Sequence, residues 1–321
     1  KRILDSFKAK PGVSIHMLYP KQRITNKPGA SLPDAYRLGK RTLVVGIRKT
    51  LTFQGCKPSA HYQLPLVTGC MGQCEYCYLN TQFGKNPYIR VYVNLEEILT
   101  RAATYIEQRI PAITIFEGAA TSDPVPVEPY TQSLAETIRF FAEQKHAKFR
   151  FVTKYTDLDS VLNLDHRGNT TIRFSINADH IIKKYEHFTP PLPMRLQAAV
   201  KIAESGYPLG FIIGPVIMFD GWEAAYQNML EELVVLLNGH RNDPISFEII
   251  SHRFTSRAKN TILGLYPASS LPMDESKRKY KYGQFGYGKY IYQPEQMNSI
   301  KNYFSTAVPN YFPQASIDYI I

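Results

Sequence analysis

The sequence predicts an α/β fold: a partial (β/α)6 barrel of TIM type, with an N-terminal extension and a C-terminal β-hairpin. Three observations lead there. Short apolar runs alternate with helical stretches from about residue 60 onward, the pattern of a parallel sheet built from β–α units. The helical stretches repeat their apolar residues every three or four positions. The units number about six, fewer than the eight of a closed barrel.

Residues 1–41 are polar and broken by Pro11, Pro20, Pro28 and Pro33, so they are expected to pack on the main body with weak structure. Residues 42–53 are β-rich, enough for one or two strands, and Cys56 follows in a Gly/Pro-flanked turn. The predicted strands are 61–68, 112–117, 148–153, 170–176, 208–213 and 245–250. Between them run four apolar stripes: Leu95, Ile98, Leu99, Ala102 and Ile106; Leu134, Ile138 and Phe141; Leu196, Ala199, Val200 and Ala203; and Trp222, Tyr226, Leu230, Leu233 and Leu237. The organisation expected is an extension over 1–53, the barrel over 54–266, and a hairpin and tail over 267–321.

The chain has 321 residues, 44% of them hydrophobic and 12% aromatic, which supports a sizeable core and argues against disorder. No apolar run is long enough to span a membrane, and no secretory signal is visible. Four cysteines, three of them in one loop, do not form a disulfide framework; a reducing, intracellular compartment is expected. The net charge of +11 points to a polyanionic partner, most simply nucleic acid, though a basic solvated surface would give the same number.

The loop in question is Cys70-Met71-Gly72-Gln73-Cys74-Glu75-Tyr76-Cys77, a C-x3-C-x2-C run. Soft thiolates select zinc or iron–sulfur clusters. Structural zinc takes four ligands, usually from C-x2-C pairs, and here no fourth cysteine lies nearby. The run therefore favours a 4Fe–4S cluster with Cys70, Cys74 and Cys77 as ligands. Three thiolates leave one iron open, and S-adenosylmethionine (SAM) can chelate it. Electron transfer then cleaves SAM to a 5′-deoxyadenosyl radical, chemistry that belongs to the cofactor.

This run, with an aromatic residue before its last cysteine, resembles the radical SAM superfamily signature. The longer string from Thr68 to Leu79, together with residues 277–292, resembles the spore photoproduct lyase family. The resemblance implies a barrel of the radical SAM type. It also implies repair of the spore photoproduct (5-thyminyl-5,6-dihydrothymine) to two thymines, by a carbon–carbon lyase working through that radical. The implied partners are ultraviolet-damaged double-stranded DNA and a reductant such as flavodoxin or ferredoxin. A monomer is expected, in the cytoplasm of an endospore-forming bacterium.

Active sites in such folds gather at the C-terminal ends of the strands. The second predicted strand runs into Glu117, Gly118 and Ser122, candidates to meet SAM or to form a tight turn. The third ends at Lys154, a point charge for SAM's carboxylate or a solvated rim lysine. The fourth ends at Ser175 and Asn177, facing SAM or closing a strand-end turn. The fifth reaches Gly214, which would border the adenine. His252 is expected to be a satisfied polar residue. In the family the loop after the second strand carries the cysteine that returns hydrogen to the substrate radical; here that position is Ala120, and an alanine methyl has no S–H to donate. The resemblance also casts Tyr76 and Tyr78 as a hydrogen relay, with Tyr78 near the adenine; aromatic packing over the loop is the plainer alternative. Cys56 is either an inert turn cysteine or a substitute donor.

Residues 277–292 alternate cations, aromatics and glycines, which reads as a hairpin. Lys277, Arg278, Lys279, Lys281 and Lys289 are candidates for phosphates; Tyr282, Gln284 and Phe285 are candidates to stack on or wedge between bases. Two competing functions remain at this point: a radical SAM enzyme acting on another nucleic acid or a peptide, and a non-catalytic, zinc-stabilised DNA-binding protein.

Overall fold

The structure, a computed structural model, describes residues 2–8, 10–19, 22, 24, 29–84, 87–282 and 288–321. Its centre is an eight-stranded sheet. In chain order the strands are β1 (Gly55–Cys56), β2 (Ala60–Gln63), β3 (Thr114–Glu117), β4 (Ala147–Thr153), β5 (Thr170–Ile176), β6 (Leu209–Val216), β7 (Ser246–Ser251) and, after the hairpin strands β8 (Lys279–Tyr282) and β9 (Gly288–Ile291), β10 (Ser316–Ile320). The spatial order is β1-β2-β3-β4-β5-β6-β7-β10. All neighbours are parallel except β1 and β2.

Side-chain contacts require this sheet to curl. In a flat sheet, strands four positions apart lie about 19 Å from each other. Arg150 of β4 and Asp318 of β10 are four positions apart, yet Nη1 and Oδ2 meet at 3.5 Å. The concave face carries a buried ionic layer: Glu117, Arg150, Arg173 and Glu248 interlock, and Tyr319 donates to Glu248. Each charge has a partner of opposite sign, the condition for burying it. The sheet is thus a half-barrel with β1 and β10 as its edges.

Helices cover the convex face as the stripes predict. Ile98, Ala102 and Ile106 of Leu95–Glu107 are buried, as are Leu134, Ile138 and Phe141 of Ser133–Ala142. Leu196, Ala199 and Ala203 of Leu192–Glu204 and Tyr226, Leu230 and Leu233 of Trp222–Leu236 are buried in turn.

Three expectations are corrected. The strand expected over 61–68 is two pieces, because Pro65 has no N–H to continue the ladder. β2 stays in the main sheet, while Val67–Thr68 pairs antiparallel with Ile89–Tyr92, itself parallel to Leu43–Gly46. The N-terminal extension is not uniformly weak: Leu32–Lys40 is a helix capped by Ser31, with a proline in its first turn, where that residue is tolerated. The tail is not an appendage to the hairpin. The helix Pro294–Tyr311 packs on Trp222–Leu236, and β10 extends the barrel sheet as a seventh parallel strand.

Candidate active site at the mouth of the half-barrel

The cysteine loop leaves the sheet at Gly69. That residue has φ +90°, and a Cβ there would lie 2.5 Å from the Tyr88 carbonyl, so only glycine fits. Its N–H bonds to Thr121 O at 2.9 Å, fastening the loop to the segment after β3. Gln73–Cys74 then pairs antiparallel with Glu186–His187, beyond β5. Polar side chains brace the loop, Lys40 and Asn80 from buried positions. Lys40 Nζ donates to the carbonyls of Cys70 and Gly72, both at 2.9 Å. Asn80 Nδ2 donates to Cys74 O at 3.0 Å and Glu75 O at 3.2 Å, and Tyr266 donates to Gln73 O at 2.9 Å.

Cys74 is buried; Cys70 and Cys77 are half-buried. Burial pushes the Cys70 thiol up to about 12, and Asp123 and Cys77 add to the shift. Cys74 is raised by burial, then by Glu186, Cys77 and Cys70. Cys77 N–H bonds to Cys74 O at 3.2 Å, although among the described residues no group of three His, Cys, Asp or Glu side chains is drawn together closely enough to hold a metal ion. The donor set fits an iron–sulfur cluster: three soft thiols on one braced loop, whose anionic form needs a cationic centre to be stable when buried. Ser122, bridged to Gly69, adds a buried Oγ that has no hydrogen-bond partner among the described residues.

The predicted residues separate into two groups. Those brought together at the mouth are Tyr78, Ala120, Cys56, Ser122, Lys154, Ser175 and Tyr76. The Tyr78 ring is 59% exposed, while its hydroxyl donates to the Ala120 carbonyl. Enclosure of that hydroxyl, then Cys77, Cys56, Glu117 and Cys70, push the phenol above its ordinary value. Burial, then Glu117, pushes the Cys56 thiol up to about 12 against the pull of Arg173 and Arg150. Lys154 Nζ donates to Ser175 Oγ at 2.9 Å, to Glu186 Oε1 at 3.0 Å and to Tyr76 OH at 3.3 Å. Tyr76 in turn donates to Glu186, and Arg195 bonds the other Glu186 oxygen at 2.6 Å. Glu186 and Arg195 were missed by the sequence reading, as were Lys40 and Asn80; no motif or period marks them.

The other group has different work. Glu117 is 3% exposed and belongs to the ionic layer. Gly118 is small because Phe149 lies where its Cβ would stand, 2.7 Å away. Gly214 lies against Ile250. Asn177 is fully buried: it donates to Pro215 O at 2.8 Å, while its oxygen accepts from Tyr226 at 2.7 Å and from Ala178 N at 3.0 Å. Its oxygen accepts twice and its nitrogen donates once within the fold, so it braces the strand ends. His252 is a satisfied polar residue as expected, held neutral by burial and Arg278, with its pKa down to about 3.

The hairpin forms with Tyr280 opposite Tyr290 and Lys281 opposite Lys289. Lys277, Lys279, Lys281 and Tyr282 are exposed and Lys289 is half-buried; Gln284 and Phe285 lie outside the described residues. Arg278 is corrected. Its guanidinium is buried on Tyr292, 3.8 Å from the ring centroid. It donates to His252 O and Nδ1 at 2.9 and 3.1 Å and to Pro272 O at 3.0 Å. It anchors the hairpin to the segments around His252 and Pro272.

Comparison with known proteins bears on this geometry. The family model described as spore photoproduct lyase matches residues 1–321. Spore photoproduct lyase of Clostridium acetobutylicum is 51% identical over 299 residues, 93% of this chain and 88% of its own. That of Bacillus subtilis is 45% identical over 308 residues, 96% and 90% of the two chains. A solved spore photoproduct lyase mutant with dinucleoside spore photoproduct superposes with TM-score 0.95 at 42% identity, covering 99% of this chain and 94% of that one. A second, with one cysteine replaced by alanine and one serine by cysteine, holds AdoMet and dinucleoside spore photoproduct; its TM-score is 0.90 at 44% identity, covering 93% and 88%. A family match along the whole chain and relatives this close over nine-tenths of it or more show that the protein belongs to the spore photoproduct lyase family.

Proposed function

We propose that this protein is a radical SAM carbon–carbon lyase that repairs the spore photoproduct in ultraviolet-damaged DNA to two thymines. The observation that carries the reading is the braced three-thiol loop at the mouth of a half-barrel, in a chain that matches the family from end to end. When bound, the 4Fe–4S cluster and SAM supply the hydrogen-abstracting radical. The chain's own residues hold the cofactors, admit the lesion and return the hydrogen.

Cys70, Cys74 and Cys77 would ligate the cluster. Ser122, with its unpartnered hydroxyl, and Lys154 beside Ser175 would meet the polar parts of SAM. Tyr78, exposed at the mouth and bonded to Ala120, is the relay in this reading. Tyr76 is a weaker candidate, because Glu186 and Lys154 occupy its hydroxyl. Hydrogen return needs a weak X–H bond close to the lesion, and Ala120 has none. Cys56 takes that role: it lies on β1, which pairs with β2, itself paired with the β3 strand that leads into Ala120, and burial keeps its thiol protonated at neutral pH. Lys277, Lys279, Lys281 and Lys289 would contact phosphates, with Tyr282 against the bases. A flavodoxin or ferredoxin would supply electrons to a monomer in the spore core.

The test is anaerobic reconstitution followed by reaction with SAM, a strong reductant and dinucleoside spore photoproduct. About four iron per chain, 5′-deoxyadenosine and thymine are expected, and Cys70→Ala, Cys74→Ala or Cys77→Ala should abolish both organic products. Deoxyadenosine from a triple-alanine protein would sink the assignment. Deoxyadenosine without thymine would point to a different substrate, and zinc in place of iron to a binding protein.

A further inference from the structure

Lys40 is 2% exposed, and a lysine is almost never so buried without a carboxylate partner. Its contacts are the Cys70 and Gly72 carbonyls at 2.9 Å and the face of Tyr36, with Nζ 5.3 Å from the centroid. Among the described residues no carboxylate lies within ion-pair distance of it. The ammonium is held there firmly. It ends the helix Leu32–Lys40, whose last turn is seated so tightly that a Cβ on Gly39 would lie 2.6 Å from Pro87 Cδ.

Bracing the loop does not call for a charge. Asn80 bonds the Cys74 and Glu75 carbonyls of the same loop with a neutral amide. An unpaired buried ammonium is far more costly than an amide, so its charge needs an anion that these side chains do not supply. Three thiolates outweigh the positive charge of an oxidised 4Fe–4S core, and reduction adds a further negative charge.

We propose that Lys40 is a positioning residue whose ammonium is the fixed countercharge of the iron–sulfur cluster and raises its reduction potential. The inference rests on the reading that Cys70, Cys74 and Cys77 ligate that cluster. A cation close to a cluster favours its reduced, more negative state, since net charge and hydrogen bonding set cluster potentials.

The experiment compares wild type, Lys40→Met, Lys40→Gln and Lys40→Arg after anaerobic reconstitution. Iron per chain is measured first, then the SAM-free midpoint potential by EPR-monitored redox titration. Wild type without iron would refute the cluster reading itself, before any variant is considered. The expected result is a more negative midpoint in the Met and Gln variants and a wild-type midpoint in Lys40→Arg. A fully loaded Met or Gln variant with the wild-type midpoint overturns the proposal and leaves Lys40 as a brace. Should both neutral variants lose iron, Lys40→Arg decides: loading in Arg alone supports the need for charge, and loss in all three shows that the loop requires the lysine's shape, which also overturns it.

Discussion

At the scale of single residues, the family resemblance sets Ala120 where a hydrogen-donating cysteine is expected, and Cys56 is the donor we propose in its place. Hydrogen abstraction from the lesion needs cofactors and a placed substrate, none of which needs sulfur at 120. Cys56→Ala should therefore leave deoxyadenosine formation standing while thymine per SAM consumed falls and trapped or rearranged lesion products rise. Ala120→Cys in that background should restore the thymine yield. Product analysis by liquid chromatography decides it; an unchanged product distribution in Cys56→Ala would remove Cys56 as the donor. Because burial lifts this thiol to about 12, its S–H survives throughout the neutral range, and donor ionisation should leave no inflection in yield between about pH 7 and pH 9.

At the scale of elements, a helix is capped by a carboxylate from the turn before it. Glu128 accepts from Leu134 N at 2.7 Å and from Ala135 N at 2.9 Å, at the start of Ser133–Ala142. Those bonds favour the anion, but burial outweighs them and raises the carboxyl from 4.5 to about 7. A carboxyl raised on folding binds more protons in the native state, so its contribution to stability is greatest below about pH 4.5 and is lost as pH rises to about 7. The loss is at most about 3 kcal/mol at 1.36 kcal/mol per unit. Thermal melts from pH 4.5 to 7.5 should show a steeper fall in Tm for wild type than for Glu128→Gln. Parallel curves would mean that the carboxyl titrates normally.

At the scale of the whole molecule, a net charge of +11 and an exposed basic hairpin make DNA affinity a salt-dependent property. Each phosphate neutralised contributes a slope of about 0.9 in log K against log salt. Replacing Lys277, Lys279, Lys281 and Lys289 together by Ala should flatten the slope by about 0.9 for each one that contacts phosphate, measured by fluorescence anisotropy with duplex DNA. An unchanged slope would make the hairpin structural. Arg278→Ala serves as the contrast: it unseats a buried anchor, so it should lower thermal stability by about 1–3 kcal/mol and bear on the slope only through a disordered hairpin.

The sequence by itself determined what is local along the chain. Strand–helix alternation gave the parallel sheet, the 3.6-residue stripes gave the buried helix faces, and the spacing of Cys70, Cys74 and Cys77 gave the ligand loop with its family resemblance. These are legible because periodicity and ligand spacing act over a few residues. The tertiary structure alone decided what depends on distant partners. It curled the sheet so that Arg150 meets Asp318, returned residues 316–320 to its edge, and brought Lys40 beneath a loop 30 residues later and Tyr78 to Ala120 across 42. It also reassigned Glu117, Asn177 and Arg278, whose types suit a ligand as well as a neighbour. Whether a polar side chain at a strand end faces the mouth or the interior is set by which charges and amides the rest of the fold brings against it, and one-dimensional spacing carries no record of that.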